Sequence, residues 1–143
     1  MEKNNNIVFY LVIIIGVLVM IVYNTSKSKL PVTQADVLPT IVGQCTTTKV
    51  SEVGTRLTDG TTGQNIVGSG SYIAYGDGGK QVSYDTIQGI ENSQIGDEVI
   101  LCLISIPEDC PPNDDRGKNY TATNLRTGEA WRAQDSSHSC GGA

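Results

Sequence analysis

The sequence predicts an all-β domain, a small antiparallel barrel or sandwich, behind one N-terminal transmembrane helix. The first reason is that the chain beyond residue 30 holds about five or six short β-prone runs, with turn residues roughly every 8–12 positions. The second is that this region has no convincing amphipathic helix. The third is the uncharged apolar run Ile7–Tyr23. Among small barrels, an SH3-like or OB-like arrangement is the first choice.

The run Ile7–Tyr23 has the composition of a membrane anchor. As a helix it would reach about 25 Å, the short end of what crosses the hydrocarbon core of a bilayer. Tyr10 and Tyr23 fall near its ends, where aromatic rings favour the interface. A cleaved signal peptide is the main alternative, but residues 22–27 are bulky and then basic where the peptidase requires small side chains. We therefore expect a cytoplasmic tail over residues 1–6 and an uncleaved signal anchor over 7–23.

The cysteines decide on which side of the membrane the body of the chain is expected. Lys27 and Lys29 follow the apolar run and only Lys3 precedes it, which slightly favours a cytoplasmic body. Against this, an even number of cysteines in a Gly-rich domain without a C-x-x-C pair is typical of disulfides formed in an oxidising compartment. We give the cysteines more weight. The prediction is a single-pass protein of the inner (cytoplasmic) membrane with its C-terminal domain in the periplasm or on the cell surface.

Residues 24–44 are predicted to be a tether, and residues 45–143 one extracytoplasmic domain. The tether contains Pro31 and Pro39 and lacks a sustained hydrophobic period. From Leu30 onward the chain holds seven basic and fourteen acidic residues. This excess of negative charge argues against nucleic acid or an anionic lipid surface as a partner.

The first half of the domain is predicted to contain three strands. The first is Lys49–Leu57, which a polar, turn-rich loop follows. The clearest hairpin joins Ser71–Tyr75 to Lys80–Tyr84 through the four residues Gly76–Gly79.

The second half is predicted to contain three more strands. Val99–Ile106 is apolar on both faces, which indicates a central strand with a neighbour on each side. Tyr120–Asn124 and Ala130–Gln134 flank a turn and predict a second hairpin. The segment Asp85–Ser93 is the one helical candidate, and a central glycine limits it to a single turn.

Four cysteines allow three disulfide connectivities. We favour Cys45–Cys102, which would link two strands, together with Cys110–Cys140, which would hold down a polar tail. A Cys102–Cys110 bond is the main alternative. A zinc site is disfavoured because no close C-x₂₋₄-C pair is present.

Three segments contain residue types found in catalytic or metal sites, but none has the arrangement that such a site needs. His138 lies in the polar tail Asp135–Cys140, which lacks the separate elements that orient a triad. Gly68–Ser71 is not a G-x-S-x-G elbow and precedes a strand. The acidic loop does not match the spacing of a calcium loop; its carboxylates are Glu108, Asp109, Asp114 and Asp115. We predict no catalytic residue, cofactor or metal.

From Gly68 to Ala143 the chain resembles small exported bacterial proteins with a cysteine-bearing β core. The segments that carry the resemblance are GSGSYIAYGDGGKQVSYD, IGDEVILCLISIPEDCPPNDDRG, YTATNLRTGEAW and HSCGG. The resemblance implies a location in the bacterial envelope. It implies no catalytic residue.

The functional hypothesis is a non-catalytic, membrane-anchored envelope protein that acts through protein–protein contacts as an accessory or structural subunit of a larger complex. Its contact surface is expected to use exposed aromatic rings, which are enriched at binding hot spots; the candidates are Tyr72, Tyr75, Tyr84 and Trp131. Since the domain has few large rings to fill its interior, core packing is the competing role for each of them. The alternatives are a periplasmic module that binds a saccharide or peptidoglycan fragment, and a filament subunit.

Overall fold

The computed structural model describes residues 38–142. The predicted anchor Ile7–Tyr23 and the tether residues 24–37 lie outside the described residues. A search of the described part for a helix long and apolar enough to cross a bilayer finds none.

The described chain forms six strands and one helical turn. In chain order these are β1 (Cys45–Thr55), β2 (Ser71–Tyr75), β3 (Lys80–Ser83), α1 (Gln88–Glu91), β4 (Glu98–Ser105), β5 (Asn119–Asn124) and β6 (Ala130–Gln134). The strands pair antiparallel and close into a barrel in the order β1-β2-β3-β6-β5-β4. The prediction of a small all-β antiparallel fold is confirmed, in its barrel form.

Alternation of side chains along each strand fills the barrel. In β2 the residues Ser71, Ile73 and Tyr75 are buried, while Tyr72 and Ala74 between them are not. β4 buries Val99, Leu101 and Leu103 in the same way and pairs with β1 on one side and β5 on the other. This confirms that the apolar run over 99–106 is a central strand.

The long strand β1 serves two neighbours in succession. Its first five residues, Cys45–Lys49, pair with β4, and residues 50–55 pair with β2, with an irregularity in that register between Val50 and Glu52. The strand begins four residues before the predicted start. The inward positions there are Thr46 and Thr48, both buried, and a threonine pair gives no hydrophobic signal in the sequence.

Both ends of the barrel are covered by chain from outside the strands. At one end Leu38 packs against Gly79, where a Cβ would lie 2.6 Å from Leu38 Cδ1, and Pro39 is buried. At the other end Ile87 and Ile90 of the α1 region pack on the core. Leu38 and Pro39, which were expected in the tether, therefore belong to the packed unit.

The disulfides follow the predicted pairing. Cys45 bonds to Cys102 between directly opposite positions of β1 and β4. Cys110 bonds to Cys140 and fastens the C-terminal tail to the loop after β4. The alternative Cys102–Cys110 connectivity is excluded.

The seam between β3 and β6 is closed mainly by a buried side chain. The two strands share a single register pair, Val82 with Gln134. Gln81, fully buried, donates through Nε2 to the carbonyls of Tyr120 (2.8 Å) and Ala133 (3.1 Å). Its Oε1 accepts from the hydroxyl of Tyr75 (2.6 Å) and from Nε1 of Trp131 (2.9 Å). Burial raises the pKa of Tyr75, so its hydroxyl remains a donor.

Candidate interaction surface

The tail around His138 does not assemble a catalytic arrangement among the described residues. Asp135 accepts a hydrogen bond from the backbone N–H of Gly117 (2.7 Å), and Ser136 donates to the carbonyl of His138 (2.6 Å). Neither residue is hydrogen-bonded to the imidazole. The ring of His138 instead lies edge-on to Tyr84, with 6.4 Å between the ring centroids.

The acidic loop holds the tail in place. Asp114 forms a two-pronged ion pair with Arg116, at 2.8 Å for each contact, and accepts from the N–H of Gly141 (3.0 Å). Both contacts hold the pKa of the Asp114 carboxyl well below its usual range. Asp115 pairs with Lys118. Within residues 38–142, no group of three or more His, Cys, Asp or Glu is arranged to hold a metal ion.

A buried carboxylate that the sequence did not single out is Asp97. Its two oxygens accept from Nε (2.6 Å) and Nη2 (2.9 Å) of Arg126, and also from Nδ2 of Asn124 and the backbone N–H of Gln94, both at 2.8 Å. These donors, Arg126 first, hold the pKa of Asp97 well below its usual range. The contacts bind the turn before β4 to the β5–β6 turn. Since its acceptor sites are occupied, Asp97 acts here as a structural link.

This link predicts a pH dependence of stability. A carboxyl whose pKa is lowered in the folded state stabilises the fold above its unfolded pKa, near 4, and loses that contribution as the pH falls. We expect Asp97→Asn to lower the free energy of unfolding most above about pH 5. The difference in the free energy of unfolding between the variant and the wild type should become smaller as the pH falls below about 4. Urea unfolding of both proteins at pH 7, 5, 4 and 3 measures this difference. A difference that does not change with pH would contradict the role of Asp97 as a charged link.

The four candidate aromatic residues separate into two inside and two outside. Tyr75 and Trp131 are 3% and 7% exposed and bond to Gln81 in the core. Tyr84 is 56% exposed, and Tyr72 is partly exposed on the opposite side of β2 from Tyr75. Tyr75 and Trp131 are therefore core residues, and only Tyr72 and Tyr84 remain available to a partner.

Tyr72 and Tyr84 belong to one patch on the outside of the barrel. Tyr72 lies opposite Gly54 of β1 and Val82 of β3. One step further, the same register places Gly70 between Arg56 and Tyr84, and the N–H of Arg56 donates to the Gly70 carbonyl (3.2 Å). We call this patch the outer face; it consists of Gly54, Arg56, Gly70, Tyr72, Val82 and Tyr84.

Glycine at position 70 is required by the backbone. Its φ is +102°, and a Cβ there would lie 2.0 Å from the carbonyl oxygen of Ser83. Because Gly70 has no side chain, the guanidinium of Arg56 reaches across it to Tyr84. The Cζ atom of Arg56 lies 4.1 Å from the centroid of the Tyr84 ring, a cation–π contact.

A short projecting loop borders the outer face. It runs from Leu57 to Val67, folds on the bridge between Thr58 and Asn65, and has all its residues exposed. The Asn65 side chain lies over Gly54, where a Cβ would be 3.2 Å from Asn65 Oδ1. Leu57, Ile66 and Val67 are 43%, 42% and 93% exposed, so the loop presents apolar side chains to solvent. The ring of Tyr84 also contacts the ring of His138, which belongs to the C-terminal tail and not to this loop.

Only part of this surface can be predicted from the sequence. Tyr72 and Tyr84 were candidates, and the period of two places Tyr75 on the other face of β2 from Tyr72. Arg56 and the loop were missed because their role depends on the register between β1 and β2. The adjacent apolar pair Ile66 and Val67 within a polar loop was the available signal.

Comparison of the chain with protein-family models, curated proteins and solved structures finds no match.

Proposed function

We propose that this protein is a non-catalytic, membrane-anchored envelope protein whose barrel docks onto another membrane or surface protein through the outer face and the loop Leu57–Val67. In this proposal Ile7–Tyr23 holds the chain in the cytoplasmic membrane and the barrel lies in the periplasm or on the cell surface. An SH3-like or OB-like kinship of the barrel stays a prediction.

The observation that carries the proposal is the exposure of apolar and aromatic side chains on and beside the outer face. Val67 is 93% exposed and Tyr84 is 56% exposed. Single exposed apolar residues are ordinary, but several on one projecting loop beside a tyrosine are typical of a protein-binding site. The hydrogen bonds of the loop and the tight packing at Gly70 fix the backbone on which these residues stand. A pre-formed surface reduces the entropy cost of binding.

The two disulfides support the proposed compartment. All four cysteines of the chain are paired. Disulfides of this kind persist in oxidising compartments and are rare in a reducing cytoplasm. This favours an extracytoplasmic barrel over the orientation that the lysine count slightly prefers.

The ring positions favour docking over the saccharide-binding alternative. Stacking on a sugar needs an aromatic ring with an open face. Tyr75 and Trp131 are buried and Arg56 covers one face of Tyr84, so of the four candidate rings only Tyr72 and the other face of Tyr84 could stack on a sugar. The filament alternative gains no support from a specific contact.

We expect the double change Val67→Ser and Tyr84→Ala to release the partner without unfolding the barrel. The full-length tagged protein is extracted from its native membrane in mild detergent, and co-eluting proteins are quantified by size-exclusion chromatography and mass spectrometry. The double variant should retain less than roughly a tenth of the wild-type partner, since losing two hot-spot contacts costs that much or more.

Ile95→Ser is the matched control for that experiment. Ile95 is 74% exposed but lies in the turn before β4, outside the proposed surface. This variant should keep the partner, and all variants should keep the wild-type melting temperature to within a few degrees. A wild-type protein that elutes alone, or a double variant that keeps its partner, would refute the docking proposal.

A further inference from the structure

We propose that the outer face recognises a partner segment that presents a carboxylate beside an apolar side chain, with Arg56 as the residue that binds the carboxylate. This inference rests on the proposed docking function and specifies the chemistry of the partner.

Arg56 is held in a fixed position before any partner binds. Its Cζ lies 4.1 Å from the centroid of Tyr84, and its Nε donates to the carbonyl of Ser69 at 2.8 Å. The N–H of the next residue, Leu57, donates to the Ser69 hydroxyl at 3.1 Å, which ties the same two segments together. A guanidinium fixed by stacking and by one hydrogen bond loses little entropy when it binds a ligand.

The charge of Arg56 is not used within the described barrel. The ion pairs among residues 38–142 use Arg116, Lys118 and Arg126, and none uses Arg56. Neither Nη atom of Arg56 has a hydrogen-bond partner in the same range. The chain holds twice as many acidic as basic residues from Leu30 onward, and yet none of the acidic side chains that the structure describes lies at ion-pair distance from Arg56.

The two free Nη groups match a carboxylate. Once Nε is occupied by Ser69, the end of the guanidinium still offers two nitrogen donors, the arrangement that binds a carboxylate through two hydrogen bonds. The negative charge of the domain disfavours polyanions such as nucleic acid, and one carboxylate brings far less repulsion.

The surroundings of Arg56 indicate an apolar group next to that carboxylate. Val67, 93% exposed, lies two residues before Ser69, the residue that Arg56 contacts. The partly exposed ring of Tyr84 lies beneath the guanidinium. An apolar side chain of the partner would cover Val67 and exclude water from the ion pair, which strengthens it.

The test uses the full chain in dodecyl maltoside and a displayed library of random twelve-residue peptides. Wild-type protein should enrich peptides with Asp, Glu or a free C-terminal carboxylate next to an aliphatic or aromatic residue. A synthetic peptide from that set should bind Arg56→Gln at least roughly tenfold more weakly than wild type, the loss expected for a charge-assisted hydrogen bond. A peptide in which Gln or Asn replaces the acid should bind the wild-type protein as weakly as the acidic peptide binds Arg56→Gln. It should bind Arg56→Gln no more weakly than that, because the interaction is already lost.

Lys49→Gln is the matched control. Lys49 is exposed in the part of β1 that pairs with β4, and its replacement removes the same charge from another part of the barrel. Peptide binding should change by less than about twofold, as for an ordinary surface charge. Arg56→Lys, which keeps the charge but loses the planar group, should bind between wild type and Arg56→Gln.

The inference and the proposed function fail in different ways. Enrichment of no peptide, enrichment of peptides without a carboxylate, or equal binding by Arg56→Gln would overturn the role of Arg56. If Arg56→Gln also keeps the native partner while the Val67→Ser/Tyr84→Ala variant releases it, the docking function stands and only the carboxylate chemistry falls. If both variants keep the native partner, the docking function falls as well.

Discussion

Replacing Gln81 with leucine is expected to lower the free energy of unfolding by about 3–5 kcal/mol. The change removes the acceptor of the Tyr75 hydroxyl and of Trp131 Nε1, and a buried donor without a partner costs about 1–3 kcal/mol. It also removes the donor to the carbonyl of Ala133 on β6, across the seam where β3 and β6 share one register pair, and to the carbonyl of Tyr120 on β5. Urea unfolding monitored by circular dichroism measures the loss.

Two further variants identify the cause of that loss. Gln44→Leu makes the same chemical change at an exposed position and should cost less than about 0.5 kcal/mol. Tyr75→Phe removes one donor and leaves Trp131 on Gln81 Oε1, so it should cost about 1 kcal/mol. A Gln81→Leu loss below about 1 kcal/mol would mean that the seam does not depend on this amide.

The sequence pattern was sufficient where local chemistry decides the structure. The hairpin of β2 and β3 forms at the predicted residues to within one position, because Gly76–Gly79 supplies the turn between two β-prone runs. β4 is likewise predictable from a local pattern, because its residues are apolar on both faces. The cysteine pairing was predictable because Cys102 was expected on the central strand with Cys45 just before the first strand, and because Cys110 and Cys140 lie in a loop and a polar tail.

Long-range closure could not be predicted in the same way. The contact between β3 and β6 depends on Gln81, and a glutamine in a strand is ordinarily expected to face solvent. Leu38 and Pro39 cover one end of the barrel through contacts with Gly79 and Tyr120 that are distant in sequence. Neither feature has a periodic signal, since each is a contact between separate parts of the chain.

The candidate surface was also predictable only in part. Tyr72 and Tyr84 could be named because exposed tyrosines are common in binding sites. The contact of Arg56 with Tyr84 depends on the register that puts Gly70, which has no side chain, between them. A register between strands cannot be read from composition, so the proposed role of Arg56 could not be predicted from the sequence.

Removal of the Cys45–Cys102 bond by the double change to alanine is expected to lower the free energy of unfolding by about 4 kcal/mol. The bond closes a loop with a sequence separation of 57, and its main effect in the chain-entropy model is to restrict the unfolded chain. The backbone pairing of Cys45–Lys49 with Glu98–Cys102 should keep the native strand in place without it. The urea m-value should therefore rise, because the unfolded chain exposes more surface, while native amide spectra away from the bond stay unchanged.

The same experiment bears on the compartment in which the barrel works. A small domain has a total stability of about 5–15 kcal/mol, so losing about 4 leaves little reserve. Cys110→Ala/Cys140→Ala is the matched control: it opens a loop with a separation of 30 and should mainly free the tail. If the Cys45/Cys102 variant loses less than about 1 kcal/mol with an unchanged m-value, the bond is dispensable for folding. A loss of the expected size would mean that the barrel reaches its full stability only where the Cys45–Cys102 bond forms, and that result would support the proposed extracytoplasmic location.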